Sequence, residues 1–563
     1  MAASQGQRDI DLDGGDGRVA LIYSPDYVKI LDRHPANGNR MTMWEALSAS
    51  YKLLPCKDRI RLVAPFQASE KDLLEFHEES YVEFVKKNNE VSAASGQFVR
   101  EAKGAPDRRK LGWEKQGDAD EDEEEKEDEE EYDSDPFKEF GLVDDCHVFV
   151  GVYDYMRWVA GGTLAAAEEL ISGRTRIAIN WGGGRHHAMP DKASGFCYVN
   201  DACLGIMHLN EQFERVLYID IDVHHGDGVE QAFQYSEEVF TLSFHRYGPS
   251  FFPRTGKQMN RFVHVYSPPC MKFFCENDRD VMMMMSSENP REGGGVSKRG
   301  KRKANKNGED DEEGANKGSR VTTSVGQGEG AYRNLNVPLR AGIDDMCYKR
   351  IFTKVLQAVL KRFRPTAIVM QCGCDTLAEK MISDDKRRES SPSPSCKNIG
   401  VLALLAGSQK ESVLKLGIPT LLLGGGGYDP KSVARCWTLL TAAAAQIALN
   451  QQIPEHEYSE RYAPSFELHT KAHPTRPNAN KKVDMAKLSS DIRMYLLKMD
   501  RRTIENNLND NDHDGKRKRR REERKGTISA DKNKAARTTE VVITTTTAKS
   551  EVAASRIRKL ETS

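Results

Sequence analysis

The chain has 563 residues, of which 30% are charged and 38% are hydrophobic, and its formal net charge at pH 7 is −2. This length leaves room for roughly two to four domains, but charge-rich and Ser-Pro-rich blocks reduce the patterned sequence to about 350 residues, the size of one large domain. Eleven cysteines without CxxC pairs, together with the lack of a signal peptide or a long apolar span, argue against a disulfide-stabilised secreted protein and against a membrane protein.

Blocks of like charge divide the chain. The acidic run over residues 118–135 cannot bury enough apolar surface to offset the entropy of ordering it. We therefore predict a disordered N-terminus over residues 1–17 and one domain over residues 18–480, with disordered inserts at about 90–136, 257–327 and 383–397. Residues 481–563 are predicted to form a basic, largely disordered tail.

Strands and helices alternate through the patterned sequence. Short β-branched or Leu-rich runs predict strands at residues 19–23, 176–180, 215–220, 239–244, 366–371 and 418–423. Helical spacing predicts helices at residues 41–54, with Thr42 as a candidate cap, and at 71–76, 81–87, 159–170, 200–209, 344–363, 401–416 and 431–447. This alternation is typical of an α/β fold whose mainly parallel sheet is covered on both faces, with sites beyond the carboxyl ends of its strands.

A glycine-rich turn follows the strand predicted at 176–180. Three glycines allow a tight turn, from which the adjacent residues His186 and His187 emerge. Adjacent side chains on an extended chain point apart, so the two histidines suit different roles rather than joint metal ligation. Taken alone, such a pair is as readily structural as catalytic.

The strand predicted at 215–220 runs into a polar motif at residues 220–228. Alternation along an extended segment would point Asp220, Asp222 and His224 in the same direction. A hydrogen-bonded polar strand end is the alternative interpretation of this motif alone. The strand predicted at 366–371 adds Asp375 at the same sheet edge. Asp222, His224 and Asp375 then form an oxygen and nitrogen donor set that suits a catalytic zinc site with an open position.

Two neighbouring groups also bear on this site. Cys374 is a rival ligand, but a thiolate would weaken the Lewis acidity of the metal, and neighbours on one strand point apart. The last predicted strand enters four glycines and Tyr428; without a following Lys-Ser/Thr pair, a phosphate-binding loop is a poorer interpretation than a turn that presents the tyrosine hydroxyl to the metal.

Five segments in this order resemble the class I zinc-dependent histone deacetylases. They are residues 184–188 (GRHHA), 194–200, 218–228, 251–256 (FFPRTG) and 423–428. The resemblance runs from about residue 19 to about residue 464, the inserts excepted. It implies that the domain over residues 18–480 is a histone deacetylase catalytic domain: a single three-layer α/β/α domain around an eight-stranded, mainly parallel sheet.

The resemblance also implies a role for each matching residue. The zinc ligands fall on Asp222, His224 and Asp375, a set that would also accept iron(II). The catalytic residues are the general base, its electrostatic partner, the hydroxyl donor to the oxyanion and the carboxylates that orient the two histidines: His187, His186, Tyr428, Asp220 and Asp227. The substrate-binding residues are the walls of an acetyl-lysine tunnel, a rim carboxylate and an arginine of the acetate exit cavity: Gly195, Phe196, Phe252, Asp145 and Arg40. A structural potassium ion would be held by Asp220, Asp222, His224, Ser243 and Phe244.

The chain departs from the family pattern around the tunnel mouth. Arg254 stands where a glycine is usual and His147 where a proline is usual, an insert begins at Lys257, and residues 378–380 replace a short pocket loop. These departures bear on substrate range and leave the metal set intact.

The resulting prediction is a nuclear lysine deacetylase that acts on acetylated histone tails and on other acetyl-lysine proteins, and contributes to chromatin regulation and transcriptional repression. The cytoplasm is the other compartment open to it, and a corepressor complex is an expected assembly. The basic cluster at residues 516–525 is typical of a nuclear localisation signal or a weak DNA contact, or else is a solvated tail. The alternatives are a catalytically weak corepressor scaffold and a deacetylase of small acetylated amines such as polyamines.

Overall fold

The computed structural model of the protein describes residues 17–90, 135–248, 250–257, 326–376, 412–469, 478–480 and 482–509. The predicted inserts at 90–136, 257–327 and 383–397 lie almost wholly outside the described residues. So do the predicted N-terminal segment before residue 17 and the chain after residue 509, which includes the basic cluster.

One sheet of eight strands forms the centre of the described chain. The strands are β1 (Val19–Ile22), β2 (Ile60–Val63), β3 (Ile177–Asn180), β4 (Val216–Asp220), β5 (Val239–Arg246), β6 (Asn334–Leu339), β7 (Ala367–Gln371) and β8 (Thr420–Leu423). Their order is β2-β1-β3-β8-β7-β4-β5-β6, and every pairing is parallel. The predicted parallel α/β sheet of eight strands is therefore confirmed.

Helices flank the sheet in the three-layer arrangement expected of this fold. They are α1 (Pro25–Leu31), α2 (Arg40–Ser50), α3 (Glu70–Leu74), α4 (Glu79–Lys87), α5 (Pro136–Glu139), α6 (Val152–Ile171), α7 (Asp201–Asn210), α8 (Asp227–Ala232), α9 (Asp345–Phe363), α10 (Pro430–Ala444) and α11 (Lys482–Asn509). The core between the layers includes a stacked pair of indoles, Trp181 and Trp437, whose ring centroids lie 5.5 Å apart.

Sequence patterning missed β2 and β6, the two edge strands. β2 is only four residues long and buries only its first side chain, that of Ile60, and β6 contains two asparagines and Pro338. An edge strand needs partners on one side only, so it tolerates polar residues and proline that would be costly in the middle of a sheet. Neither segment has the continuous apolar run by which the six central strands were found.

Two helix predictions need correction. The helix predicted at 41–54 begins at Arg40, and Thr42 does not cap it, because the backbone N–H and the hydroxyl of Thr42 both donate to Asp32. Most of the helix predicted at 401–416 lies outside the described residues. Its described end, Val413–Leu416, is a single 3-10 turn.

The first part of the predicted tail is helical. Residues 482–509 form helix α11, which packs against α9. Its buried side chains recur on one helical face, as an amphipathic helix requires: Leu488, Ile492, Tyr495, Leu496 and Met499. The hydroxyl of Tyr495 donates to the backbone oxygen of Asn334 at 2.5 Å, which ties the helix to β6. Charged residues surround this apolar stripe and dominate the composition of the segment, so composition alone did not predict a helix here.

The parallel sheet sets the position of the site. The carboxyl ends of β3, β4, β7 and β8 lie side by side, since these four strands are neighbours in the order β3-β8-β7-β4. The polar segments that follow these strands therefore meet at one edge, as open α/β sheets favour. Among the helices of the described ranges, none is both long enough and apolar enough to cross a bilayer.

Candidate active site

Three predicted metal donors converge beyond the ends of β4 and β7. Suitable atoms of Asp222, His224 and Asp375 all lie within 4.8 Å of one another, and all three residues are buried. The Nδ1 atom of His224 is 3.0 Å from Oδ1 of Asp222 and 3.1 Å from Oδ2 of Asp375. The three residues that the sequence predicted to form a metal site therefore lie close together in the structure.

The charges of this cluster fit a divalent cation. Oδ2 of Asp375 is buried and accepts no hydrogen bond within the described chain. Burial and the nearby charge of Asp222 raise the pKa of Asp375 to about 7. Two buried carboxylates this close repel each other unless a positive charge lies between them. Two oxygens and one imidazole nitrogen are also the donor types of a three-residue zinc site.

Cys374 does not belong to this donor set. Its Sγ lies 3.5 Å from the backbone oxygen of Cys372, and burial raises the pKa of its thiol well above the usual value. Among the His, Cys, Asp and Glu donors of the described ranges, the convergent group comprises Asp222, His224 and Asp375. The preference for the carboxylate over the thiol is consistent with this geometry.

Each of the two adjacent histidines forms a pair with its own carboxylate. Nδ1 of His186 donates to Asp220, and Nδ1 of His187 donates to Asp227, both at 2.7 Å. Nε2 of His186 lies 3.9 Å from Oδ2 of Asp222, so the second nitrogen of this ring faces the metal donors. Such a carboxylate contact fixes the tautomer and the orientation of an imidazole.

The two histidines differ in charge at neutral pH. Burial opposes protonation of His186, but the carboxylates of Asp220 and Asp222 outweigh it and raise its pKa to about 9. Burial and the charge of His186 lower the pKa of His187 to about 4, although Asp227 acts in the opposite direction. His186 is then a cation, whereas His187 is neutral and has a free lone pair on Nε2.

Tyr428 follows the glycine turn after β8 and lies beside the same cluster. Its ring centroid is 5.6 Å from that of Phe196. The residue is 40% exposed overall, but its hydroxyl is enclosed; burial and the charges of Asp375 and Asp222 raise the pKa of this hydroxyl well above its usual value. Tyr428 is therefore a protonated hydrogen-bond donor across the physiological pH range.

Gly195, Phe196 and Phe252 lie around the histidines, as tunnel walls would. The Phe252 ring is edge-on to His187 with centroids 5.0 Å apart. Gly195 has φ +53°, and a Cβ atom there would lie 2.5 Å from Cδ2 of His187. Only glycine fits a backbone that turns left-handed and lies this close to a ring.

The predicted rim carboxylate and two departures from the family pattern, His147 and Arg254, lie in loops. Asp145, the predicted rim carboxylate, is exposed. His147 is exposed too, and its backbone oxygen accepts a hydrogen bond from Tyr198 at 2.6 Å. Arg254 has φ +70°, in the left-handed region that favours glycine. Residues 378–380 lie outside the described residues.

Arg40 is buried rather than solvated. It is 1% exposed, its Nη1 donates to the backbone oxygen of Gly427 at 2.8 Å, and its guanidinium lies 5.0 Å from the ring centroid of Trp437. It lines a small cavity that is partly open to solvent. The same cavity is bordered by His186, His187, Asp222 and Tyr428.

The residues predicted to hold potassium lie on adjacent strands. Asp220 of β4 is paired with Ser243 of β5, and Phe244 is next along β5. Asp222 and His224 follow β4 directly. Potassium binding by this set stays a prediction.

Sequence analysis missed two residues that shape the metal cluster. Gln371, at the end of β7, donates from Nε2 to Oδ2 of Asp222 at 2.9 Å. Phe251 stacks on His224 with centroids 5.2 Å apart and an interplanar angle of 4°. A polar residue that ends an apolar strand was the available signal for Gln371, and the double aromatic at 251–252 was the signal for Phe251.

Comparison with known proteins is consistent with this geometry. The sequence model of the histone deacetylase domain matches residues 34–444. The chain is 34% identical over 477 residues to histone deacetylase 8 of Xenopus tropicalis, covering 84% of this chain and 96% of that protein. It is 33% identical over 476 residues to histone deacetylase 8 of Danio rerio, covering 84% and 94%. Over 489 residues it is 31% identical to histone deacetylase 19 of Arabidopsis thaliana, covering 86% of this chain and 74% of that protein.

Proposed function

Because the chain belongs to the class I zinc-dependent histone deacetylase family, we propose that it hydrolyses the acetyl amide of N6-acetyl-lysine in histones and in other proteins. One observation carries the proposal: two His–Asp pairs and a tyrosine hydroxyl surround a buried cluster of three metal donors. Amide hydrolysis needs an activated water, a proton donor for the leaving amine and a stabilised oxyanion. The site offers a group for each need.

Asp222, His224 and Asp375 would hold the zinc ion. When bound, zinc lowers the pKa of its water and polarises a carbonyl oxygen. Gln371 and the backbone N–H of Gly426 each donate to Oδ2 of Asp222 at 2.9 Å. These contacts fix the orientation of that carboxylate, as the surroundings of metal sites commonly do.

His187 is the proposed general base. Its low pKa leaves Nε2 free to take a proton from the attacking water, while Asp227 holds the ring in the required tautomer. A bond then forms between the water oxygen and the acetyl carbon, and the carbon–nitrogen bond breaks. The proton passes to the lysine nitrogen, and acetate leaves. His186, cationic and paired with Asp220, stabilises the negative charge that develops in this step.

Tyr428 is the proposed donor to the oxyanion. Its raised pKa keeps the phenol protonated, so it can donate a hydrogen bond as the carbonyl oxygen gains charge. Gly195, Phe196 and Phe252 would enclose the four-carbon stem of the lysine. Asp145, exposed at the surface, would accept hydrogen bonds from the substrate backbone, and Arg40 would line the exit path of acetate.

The cellular role is proposed on family grounds. Acetylated histone tails are the expected substrates, and a nuclear location with a role in chromatin regulation and repression follows from them. A corepressor complex, and DNA or import contacts through the basic cluster at residues 516–525, belong to the same proposal. The domain boundaries at residues 18 and 480 stay predictions. Helix α11 lies just beyond the second boundary and packs against α9.

Acetate release from an acetylated histone H4 peptide tests the proposal. We expect the purified protein to turn over and His187→Ala to lose activity while it still binds one zinc ion per chain. Asp222→Asn is expected to lose both zinc and activity. A wild-type protein that holds zinc yet is silent on several peptides would instead support a scaffold, and activity confined to acetylated spermidine would support a polyamine deacetylase.

A further inference from the structure

Helix α9 has one basic face. Its buried residues pack on β5, where the rings of Phe352 and Phe244 have centroids 5.0 Å apart. Its exposed residues recur every three or four positions, so they lie in a single row along the helix. Together with the residue that caps the helix, these exposed residues form the α9 stripe: Met346, Arg350, Lys354, Gln357, Lys361 and Arg364.

The α9 stripe carries four positive charges and no negative charge. Arg350 and Lys354 are like charges four residues apart, a pattern that destabilises a helix. Basic residues in the last turn, such as Lys361, complement the helix dipole, but Arg350 and Lys354 lie outside that turn. Neither helix stability nor the dipole accounts for these two cations, whereas a polyanionic ligand would.

Helix α11 extends this basic surface. It packs against α9, and both helices begin at the same edge of the sheet, because Asn478, just before α11, donates to Asp344, the N-cap of α9, at 2.7 Å. The exposed residues of α11 include Lys487 and Arg493. In the parts of the two helices whose side chains the structure describes, none of the exposed residues is acidic. The two helices therefore present one continuous basic surface.

The charge and the length of this surface match the backbone of a nucleic-acid duplex. From Arg350 to Arg364 the α9 stripe spans about 21 Å, at about 1.5 Å per residue. Duplex DNA carries one negative charge per about 1.7 Å of its axis, so phosphates are available to every cation of the α9 stripe. Basic residues clustered along a helix are also the usual electrostatic signature of a nucleic-acid-binding protein.

The acidic run of the chain itself, at residues 118–135, matches the surface less well. The elements that flank it in the sequence are α4 and α5, and α4 packs against α6, which covers β1 and β3. Helix α9 covers β5, which lies five strands from β1 in the sheet order. At about 4.8 Å per strand this separation is about 24 Å. The acidic run is therefore attached near the other end of the sheet.

We propose that α9 and α11 bind the phosphate backbone of double-stranded DNA without base specificity and thereby hold the protein on chromatin. Helix α9 begins beyond the carboxyl end of β6, at the sheet edge where the metal cluster lies. DNA along the α9 stripe would then lie on the side of the molecule that receives a histone tail. This surface is separate from the basic cluster at residues 516–525. Only its effect on nucleosomal substrates rests on the proposed function.

Fluorescence anisotropy with a labelled DNA duplex tests the surface by itself. The parent protein is the full chain with the six basic residues at 516–521 changed to glutamine, so that the basic cluster does not bind the probe. The stripe variant adds Arg350→Gln, Lys354→Gln and Lys361→Gln. We expect its Kd at about 50 mM salt to rise by about tenfold or more, and the slope of log K against log salt to fall by about 3, or about 1 per lost phosphate contact.

A matched control removes the same number of charges elsewhere. Lys29→Gln, Lys71→Gln and Lys87→Gln together change three exposed lysines of α1, α3 and α4, and should alter neither the Kd nor the slope. Equal DNA binding by the parent and the stripe variant would overturn the inference. DNA binding that appears only after residues 118–135 are replaced by a Gly-Ser linker would also overturn it, since the acidic run would then be the occupant of the surface.

Turnover separates this inference from the proposed function. The two substrates are an acetylated histone H4 peptide and a nucleosome that carries the same acetylated tail. The stripe variant should keep the kcat/KM of the parent on the peptide and lose about fivefold or more on the nucleosome. A nucleosome rate that falls no more than the peptide rate would refute the role on chromatin. Silence of the parent on both substrates would refute the proposed function, and the DNA titration would then decide the inference.

Discussion

Removal of one hydroxyl group tests whether the site catalyses a reaction. Tyr428→Phe keeps the ring and its contact with Phe196 but deletes the proposed donor to the oxyanion. Loss of one such donor costs about 100-fold to 1,000-fold in kcat, or about 2.7–4 kcal/mol of transition-state stabilisation. KM should change little, because the hydroxyl acts on charge that develops only in the transition state.

The same substitution should leave the fold unaffected. Within the described ranges, the Tyr428 hydroxyl has no hydrogen bond to protein that the change would break, and the residue is 40% exposed. We therefore expect the free energy of unfolding to stay within about 0.5 kcal/mol of wild type.

Steady-state kinetics on an acetyl-lysine peptide, with urea unfolding of the same preparations, makes the comparison. Tyr458→Phe, a partly buried tyrosine outside the cavity, is the matched control and should leave both quantities unchanged. A kcat for Tyr428→Phe within threefold of wild type would refute the assigned role. A loss of several kcal/mol in stability would show instead that the hydroxyl is structural.

Three further predictions concern the two histidines of the site and the packing of helix α11. Asp227→Asn removes the carboxylate that orients His187, so kcat should fall by about 10-fold to 100-fold with zinc content unchanged, as measured by acetate release and metal analysis; unchanged kcat would exclude an orienting role. In metal-free protein, His186 has a folded-state pKa of about 9 against 6.5 for the free side chain. Its contribution to stability is therefore fully present below pH 6.5 and is lost as pH rises through 9. The gap in unfolding free energy between wild type and His186→Gln should shrink over that range, and a gap that does not vary with pH would contradict the assigned charge. Leu496→Ala deletes a side chain of α11 that is 1% exposed, so urea unfolding should show a loss of about 2–5 kcal/mol; a loss below 0.5 kcal/mol would mean that α11 does not pack on the domain in solution.

The sequence predicted the centre of the sheet better than its edges. The six central strands are apolar because both faces of a parallel sheet are covered, and such runs are easily recognised. β2 and β6 have fewer neighbours and therefore less restricted composition. Helix α11 shows the same limit, since its apolar stripe is one face of a strongly charged segment.

Strand ends were informative about the site because of a general property of parallel sheets. Polar residues that follow buried strands meet at one edge, so Asp222, His224 and Asp375 could be grouped before any distance was known. The positions of Gln371 and Phe251 depend on side-chain packing, which strand alternation does not specify. The burial of Arg185 and of Arg40 arises from contacts between distant parts of the chain, which a local sequence motif does not specify.

Dependence of activity on bound metal tests the central claim most directly. Protein stripped by a chelator should be inactive on an acetyl-lysine peptide, and acetate release should return in proportion to added zinc, with a plateau at one equivalent per chain. Asp375→Asn should show little recovery at the same zinc concentration. Full activity in the metal-free protein, or full recovery in Asp375→Asn, would contradict hydrolysis at the Asp222, His224 and Asp375 cluster.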